Sequence, residues 1–225
     1  PLRPDHRQGL PDRQTLKPVL DLIGRSRRPI LLVGLGVYWA DACASMVALA
    51  ERLGAPVLTT GKCKGAIPED HPLSAGCLWG GALEKKLIAE ADLIITVGLD
   101  GVELQAKPWP FRAPLVALSS EQIMDAEVPA LHEVTGDLGA ILQSLAELAS
   151  EGGNWGERSA SEYRANLRAA IAAPARGLSP QALFDVARSV LPRNTVASVD
   201  MGASRLIGAH LWNVYRPKEF LVSSG

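Results

Sequence analysis

The sequence has almost no excess charge of either sign, few cysteines and no long apolar run. Lysine and arginine total 23 against 24 aspartates and glutamates, a net charge of −1. No global field therefore recruits nucleic acid or an anionic membrane surface. No apolar run reaches the roughly 18 residues of a membrane-spanning helix, so no membrane partner is expected. The three cysteines, Cys43, Cys63 and Cys77, form no C-x-x-C pair. An odd, unpaired set argues against a disulfide scaffold and for a reducing, cytoplasmic setting. There is no signal peptide, and Pro1 and Gly225 read as the cut ends of a piece of a longer polypeptide.

The familiar catalytic signatures are missing too. There is no G-x-S-x-G elbow and no phosphate-binding G-K-S or G-K-T. The four histidines, His6, His71, His132 and His210, show no metal-ligand spacing. His132-Glu133 lacks the second histidine of a zinc helix and reads as polar residues at the start of a strand. Cys63 sits between Lys62 and Lys64, and nearby cations lower a thiol pKa. With no assignable His or Asp partner, it reads as a loop cysteine. The basic run Arg25-Ser26-Arg27-Arg28 reads as a solvated helix end, favoured by the helix dipole.

What is present is core-forming material: 47% apolar residues against 21% charged, which excludes disorder over most of the length. The run PILLVGLG (29–36) has the continuous apolar pattern of a strand buried on both faces. Further strands are expected at 56–60, 93–97, 114–118 and 132–135. Helices are expected at 15–24, 40–53, 82–90 and 137–149, with 61–81 read as a loop too rich in Gly and Pro for regular structure. This alternation predicts an α/β fold, a doubly wound and mostly parallel Rossmann-like sheet. Residues 150–177 change to a polar, Gly-rich stretch followed by an Ala/Arg helix. Ser179 and Pro180 then open a new helix (180–190) as N-cap and first residue. Strands at 196–199 and 220–222 begin a second, incomplete α/β unit. The expected domains are a linker and leading helix at 1–28, the central domain at 29–150, a linker at 151–177 and the second unit at 178–225.

Two turns lie where α/β sheets bind ligands, at the carboxyl ends of strands. Gly34-Leu35-Gly36 joins the first strand to the first helix, where glycines permit a tight turn and close backbone approach. Trp39 stands where a dinucleotide fingerprint needs its third glycine. The second strand ends in Thr59-Thr60, where an acidic residue would hold a ribose. Dinucleotide binding of the NAD type is thereby disfavoured, leaving a plain structural turn or a flavin or ADP pocket of another type. Asp200-Met201-Gly202-Ala203-Ser204 is the second such turn.

Several segments, in order, resemble the thiamine-diphosphate-dependent enzymes of the acetolactate synthase, pyruvate oxidase and oxalyl-CoA decarboxylase type. They are Arg28 to Gly34, Lys64-Gly65-Ala66-Ile67-Pro68-Glu69-Asp70-His71-Pro72 with Gly76 and Gly80 behind it, and Ala91 to Gly98. Gly136-Asp137, Ser179-Pro180-Gln181, Val199-Asp200-Met201-Gly202 and Phe220 to Gly225 complete the series. The K-G-x-x-P-x-D-H-P loop is the most specific of them. The resemblance implies the central domain plus the start of a diphosphate-binding domain. The parent would decarboxylate or ligate 2-keto acids using thiamine diphosphate and Mg²⁺, as a homodimer or homotetramer. The family's catalytic Glu and its Mg²⁺-binding G-D-G…N segment are not among these residues, so this piece alone is expected to be inactive.

By the same resemblance, Gly202, Ser204 and Ser224 would contact thiamine diphosphate. Gly34, Gly36, Lys64, Gly65 and Gly98 match positions that hold FAD or ADP in some relatives. Leu99-Asp100-Gly101-Val102-Glu103 replaces an Arg-bearing segment of the flavin-containing relatives. The alternative reading is a structural or regulatory module that binds ADP or FAD without catalysis.

Overall fold

The computed structural model describes residues 12–104, 109–122, 128–172 and 177–222. Its centre is a six-stranded sheet of β1 (Pro29–Val33), β2 (Val57–Thr60), β3 (Ser74–Leu78), β4 (Leu93–Val97), β5 (Leu115–Ser119) and β6 (His132–Thr135). The spatial order is β3-β2-β1-β4-β5-β6, and every neighbouring pair is parallel. All residues of β1, β4 and β5 are buried. That is why their sequences run apolar without alternation: both faces are covered by helices.

Successive side chains point to opposite faces and feed two separate cores. Leu31 and Val33 of β1 join Ile95, Val97, Val116 and Val134 under α1 (Arg13–Arg25), α3 (Cys43–Leu53) and α5 (Leu138–Leu148). Ile30 and Leu32 join Leu58, Ile94 and Leu115 on the other face, beneath α4 (Ala82–Glu90) and α6 (Trp155–Ile171). The caps follow from residue chemistry. Asp12 and Asp137 accept the N–H groups of Gln14 and Ala140 at the starts of α1 and α5. Gly54 closes α3 in the left-handed conformation at φ 56°.

The structure departs from the sequence reading in three places. The helix expected over 40–53 begins only at Cys43, as α3, and a separate short helix, α2 (Gly36–Trp39), precedes it, the two parted by Asp41 at φ 53°. Aspartate is among the few residues that tolerate that conformation. The supposed loop at 61–81 contains β3, an edge strand whose apolar signal is diluted by Ser74 and by Gly76 at φ 103°. Its register with β2 shifts at Val57/Leu58, and a glycine within a strand often marks such an irregularity. The Ala/Arg helix expected within 151–177 is α6, which begins already at Trp155, in the stretch read as polar and Gly-rich, and buries Trp155, Ala160 and Tyr163 against the sheet. Glycines just before and at the start of α6 permit a close crossing over the end of α3. Gly152 N–H donates to the Arg52 carbonyl (2.8 Å) and Gly156 N–H to that of Gly54 (3.0 Å).

The remaining residues form a small second sheet, β7 (Ala197–Val199) parallel to β8 (Phe220–Val222), with α7 (Pro180–Val190) and α8 (Ala203–Leu211). Ser179 caps α7 by accepting from Ala182 N–H at 3.1 Å. A third core of Cys77, Ala209, Trp212, Val214 and Phe220 joins β3 to α8 and β8. None of the α7 residues is buried, and Leu183, Val186 and Val190 lie exposed along it. Among the described residues, no helix is long and apolar enough to cross a membrane.

Candidate functional site

The two predicted turns both stand at the carboxyl ends of strands, but they are built differently. At the first, Gly34, Gly36 and Gly98 pack backbone to backbone where the strand order reverses between β1 and β4. Gly34 N–H donates to the Val97 carbonyl (2.9 Å) and Gly36 N–H to that of Gly98 (2.8 Å), while Gly98 N–H donates to Leu118 (2.8 Å). A Cβ on Gly34 would lie 2.6 Å from the Gly98 carbonyl oxygen, and one on Gly36 would lie 2.8 Å from Gly98 Cα. Gly98 itself has φ 55°. These three glycines are therefore required by the crossing of two chain segments, whatever else lies nearby.

The hydrogen-bond donors around this crossing converge on a carboxylate. Leu35 N–H donates to both oxygens of Glu103, at 3.0 and 3.3 Å. The Thr60 hydroxyl donates to Glu103 Oε1 at 2.7 Å, and Asp100 N–H to Oε2 at 3.3 Å. The donors thus come from the ends of β1, β2 and β4. A short 3-10 turn, Gly101–Glu103, delivers the carboxylate, and Asp100 caps that turn by accepting from Val102 N–H at 3.0 Å.

Beside Glu103 a narrow cleft is lined by Leu32, Leu78, Trp79, Glu84, Trp109 and Phe111. Glu84 is buried and accepts the N–H groups of Trp79 (2.6 Å), Gly80 (2.5 Å) and Gly81 (3.2 Å). Burial raises its pKa despite those bonds.

Lys64 and Gly65 do not join that crossing. Lys64 is 2% exposed and paired with the buried carboxylate of Glu69. Its ammonium lies 5.6 Å from the centre of the Phe220 ring. Glu69 also accepts from Val214 N–H (2.9 Å), and its own N–H donates to the Val214 carbonyl (2.9 Å). Gly65, at φ 92°, leaves room where a Cβ would stand 2.7 Å from Val214 Cγ1. Asp70 pairs with Arg193 at 2.5 Å. The K-G-x-x-P-x-D-H-P loop is therefore a clasp between the central sheet and the second unit.

The neighbouring Cys63 is fully buried. Burial pushes its thiol well above the ordinary range, opposite to the effect expected of the flanking lysines, and lifts the Cys77 thiol to about 12. The cation at 64 is committed to Glu69.

The second turn is open. Gly202 has φ 111° and ψ −169°, a conformation suited to glycine, and begins α8. Met201, Gly202, Ala203 and Ser204 are all exposed. Asp200 accepts Met201 N–H at 2.7 Å, which holds its carboxylate at the end of β7. The first backbone N–H groups of α8 and the Ser204 hydroxyl are donors of the kind that bind phosphate oxygens. Ser224 lies outside the described residues. No group of three or more His, Cys, Asp or Glu side chains among the described residues is arranged to hold a metal ion.

Sequence reasoning missed Glu103 as a site residue, although D-G-V-E has the spacing of a capping box. It also missed Glu84, whose partners are backbone groups of a glycine turn.

A doubly wound parallel domain, clasped to a second α/β unit with an exposed glycine turn at the start of a helix, is the class that this architecture defines. Residues 16–145 match the family model described as thiamine pyrophosphate enzyme, central domain, and the chain belongs to that family. It is 31% identical to a probable 2-ketoarginine decarboxylase of Pseudomonas aeruginosa, an alignment covering 97% of this chain and 39% of that protein. It is 28% identical to a sulfoacetaldehyde acetyltransferase of Rhodobacter capsulatus, covering 88% and 39%. To a probable acetolactate synthase large subunit of Methanocaldococcus jannaschii it is 26% identical, covering 93% and 38%. The chain thus spans about two fifths of the length of these relatives.

Proposed function

We propose that the chain is the central and diphosphate-side part of a thiamine-diphosphate-dependent enzyme that decarboxylates or ligates a small 2-keto acid. The observation that carries this reading is the open turn at Gly202, presented at the end of β7 by a unit clasped to a central domain of this family. The donors there fit a diphosphate: backbone N–H groups at the start of α8, left accessible by Gly202, and the Ser204 hydroxyl. Ala203 supplies only its backbone.

When bound, thiamine diphosphate supplies the electron sink for a carbanion formed after loss of carbon dioxide. This chain's residues would bind and orient its diphosphate, with Gly202 and Ser204 as contacts; Ser224, proposed with them, lies outside the described residues. Mg²⁺ would tie the diphosphate to carboxylate and amide oxygens supplied by the longer protein.

The exposed apolar residues of α7 support the same reading. An amphipathic helix with none of its residues buried is half of an interface, and the remainder of a diphosphate-binding domain would cover it. A homodimer or homotetramer, and a reducing cytoplasm suited to three free thiols, belong to the same proposal.

The test is a titration of the longer protein, and of this chain beside it, with thiamine diphosphate and Mg²⁺, followed by tryptophan fluorescence. Saturable binding by the longer protein, weakened by Gly202→Val, is the expected result. No binding by the longer protein overturns the proposal.

A further inference from the structure

We infer that Glu103 is an internal stand-in for a ligand anion, and that the central domain keeps its switch-point crevice closed on itself and takes neither ADP nor FAD there. In open α/β sheets that crevice is where a phosphate is received, by donors at strand ends. Here those donors already serve the protein's own carboxylate: Leu35 N–H from the end of β1, the Thr60 hydroxyl from β2 and Asp100 N–H from beyond β4. A Cβ at Gly34 would stand 2.5 Å from Glu103 Oε2, so this glycine makes room for the glutamate itself.

Three further observations agree. The cleft beside Glu103 has a free volume of about 20 Å³, room for little more than one water molecule. Its walls carry a second carboxylate, Glu84, which would repel phosphate. Lys64, a cation at a position matching a nucleotide site, is buried against Glu69 instead. The positions matching a nucleotide site by sequence are thus satisfied from within the chain. The inference is independent of the thiamine diphosphate reading, because the turn at Gly202 belongs to the other unit.

Calorimetric titration of the full chain with ADP and with FAD tests it directly. No saturable heat is expected from either, and binding of either at micromolar concentration overturns the inference. Glu103→Ala and Glu103→Gln extend the test. Alanine strands the Leu35 and Thr60 donors, whereas glutamine keeps an acceptor oxygen but turns an amide toward backbone N–H groups. Both variants should unfold at lower urea concentration than the wild type, alanine more so. Inorganic phosphate should raise the midpoint of the alanine variant more than that of the wild type. A midpoint for Glu103→Ala equal to that of the wild type, or the same rise with phosphate in both proteins, overturns the stand-in role. Should the alanine variant fail to fold, the glutamine variant and the wild-type titrations still decide.

Discussion

Replacing Lys64 by Met isolates the energetics of the clasp. Methionine keeps most of the aliphatic stem and removes the ammonium, leaving the Glu69 carboxylate with Val214 N–H as its remaining hydrogen bond and the Arg164 charge as its remaining electrostatic partner. Lys64 and Glu69 have side-chain exposures of 1% and 7%, so water cannot readily take the place of the missing ion. Breaking a buried pair from one side costs about 3–5 kcal/mol, because the partner is left charged and unpaired. Removing both charges, in Lys64→Met with Glu69→Leu, should recover much of that loss, since apolar replacements of buried pairs are often neutral. Urea unfolding of the two single variants and the double variant gives the coupling energy, provided the m-value is unchanged. Hydrogen exchange should show the loss first at residues 69–70 and 214–216, where the backbone bonds between Glu69 and Val214 lie. A cost below about 1 kcal/mol for Lys64→Met, or no recovery in the double variant, would refute the reasoning. Such an outcome would return Lys64 to the role of a lysine awaiting a phosphate.

Two other perturbations follow from the packing. Burial, with a smaller contribution from Lys64, lowers the His210 pKa to about 4, and its Nε2 lies 3.7 Å from Glu84 Oε1. The unfolded chain binds this proton at a higher pH than the folded one. The stability due to neutral His210 is therefore complete above about pH 6.5 and is lost as pH falls toward 4, by at most about 3 kcal/mol. Glu84, with its raised pKa, acts with the opposite sign at the acid end. His210→Gln should flatten the decline between these limits in urea midpoints measured against pH, and an unchanged slope would exclude His210 as its source. Gly152→Ala would drive a Cβ into the Leu53 carbonyl, whereas Gly153→Ala meets nothing within 4 Å. The first should cost about 1–3 kcal/mol and the second less than about 0.5 in thermal or urea unfolding. Equal effects would show that the crossing before α6 is not tight.

The legible part of the fold was the part whose pattern is local. PILLV and LIITV announce strands covered on both faces because every residue is apolar, and α7 is announced by Ser179 and Pro180 at its start. β3 was not legible, since Ser-Ala-Gly-Cys-Leu owes its place to pairing with β2 and to backing by Trp212 and Phe220. Nor was the docking of α6, because a Gly-Gly-Asn stretch reads as a linker until the end of α3 is brought against it. The glycine turn was legible as a place but not as a function. Its glycines are required by the crossing at Gly98, and its ligand, Glu103, enters from 68 residues further along the chain than Leu35.

That distinction bears on what the family resemblance signifies. Its most specific segment, Lys64 to Pro72, is where Lys64, Glu69 and Asp70 tie the central sheet to the second unit. Asp70 and Arg193 are exposed, so their pair adds little, while the Val214 bonds to Glu69, whose carboxylate Lys64 fixes from within the same loop, hold the junction. The Lys64–Glu69 pair lies within this one loop and holds the Glu69 carboxylate in place, while the two bonds between Glu69 and Val214 cross to the second unit and break if that unit shifts. The loop therefore sets where α8 and the Gly202 turn stand relative to the central domain. Residues with no contact to a ligand can thus carry the most recognisable motif in the chain.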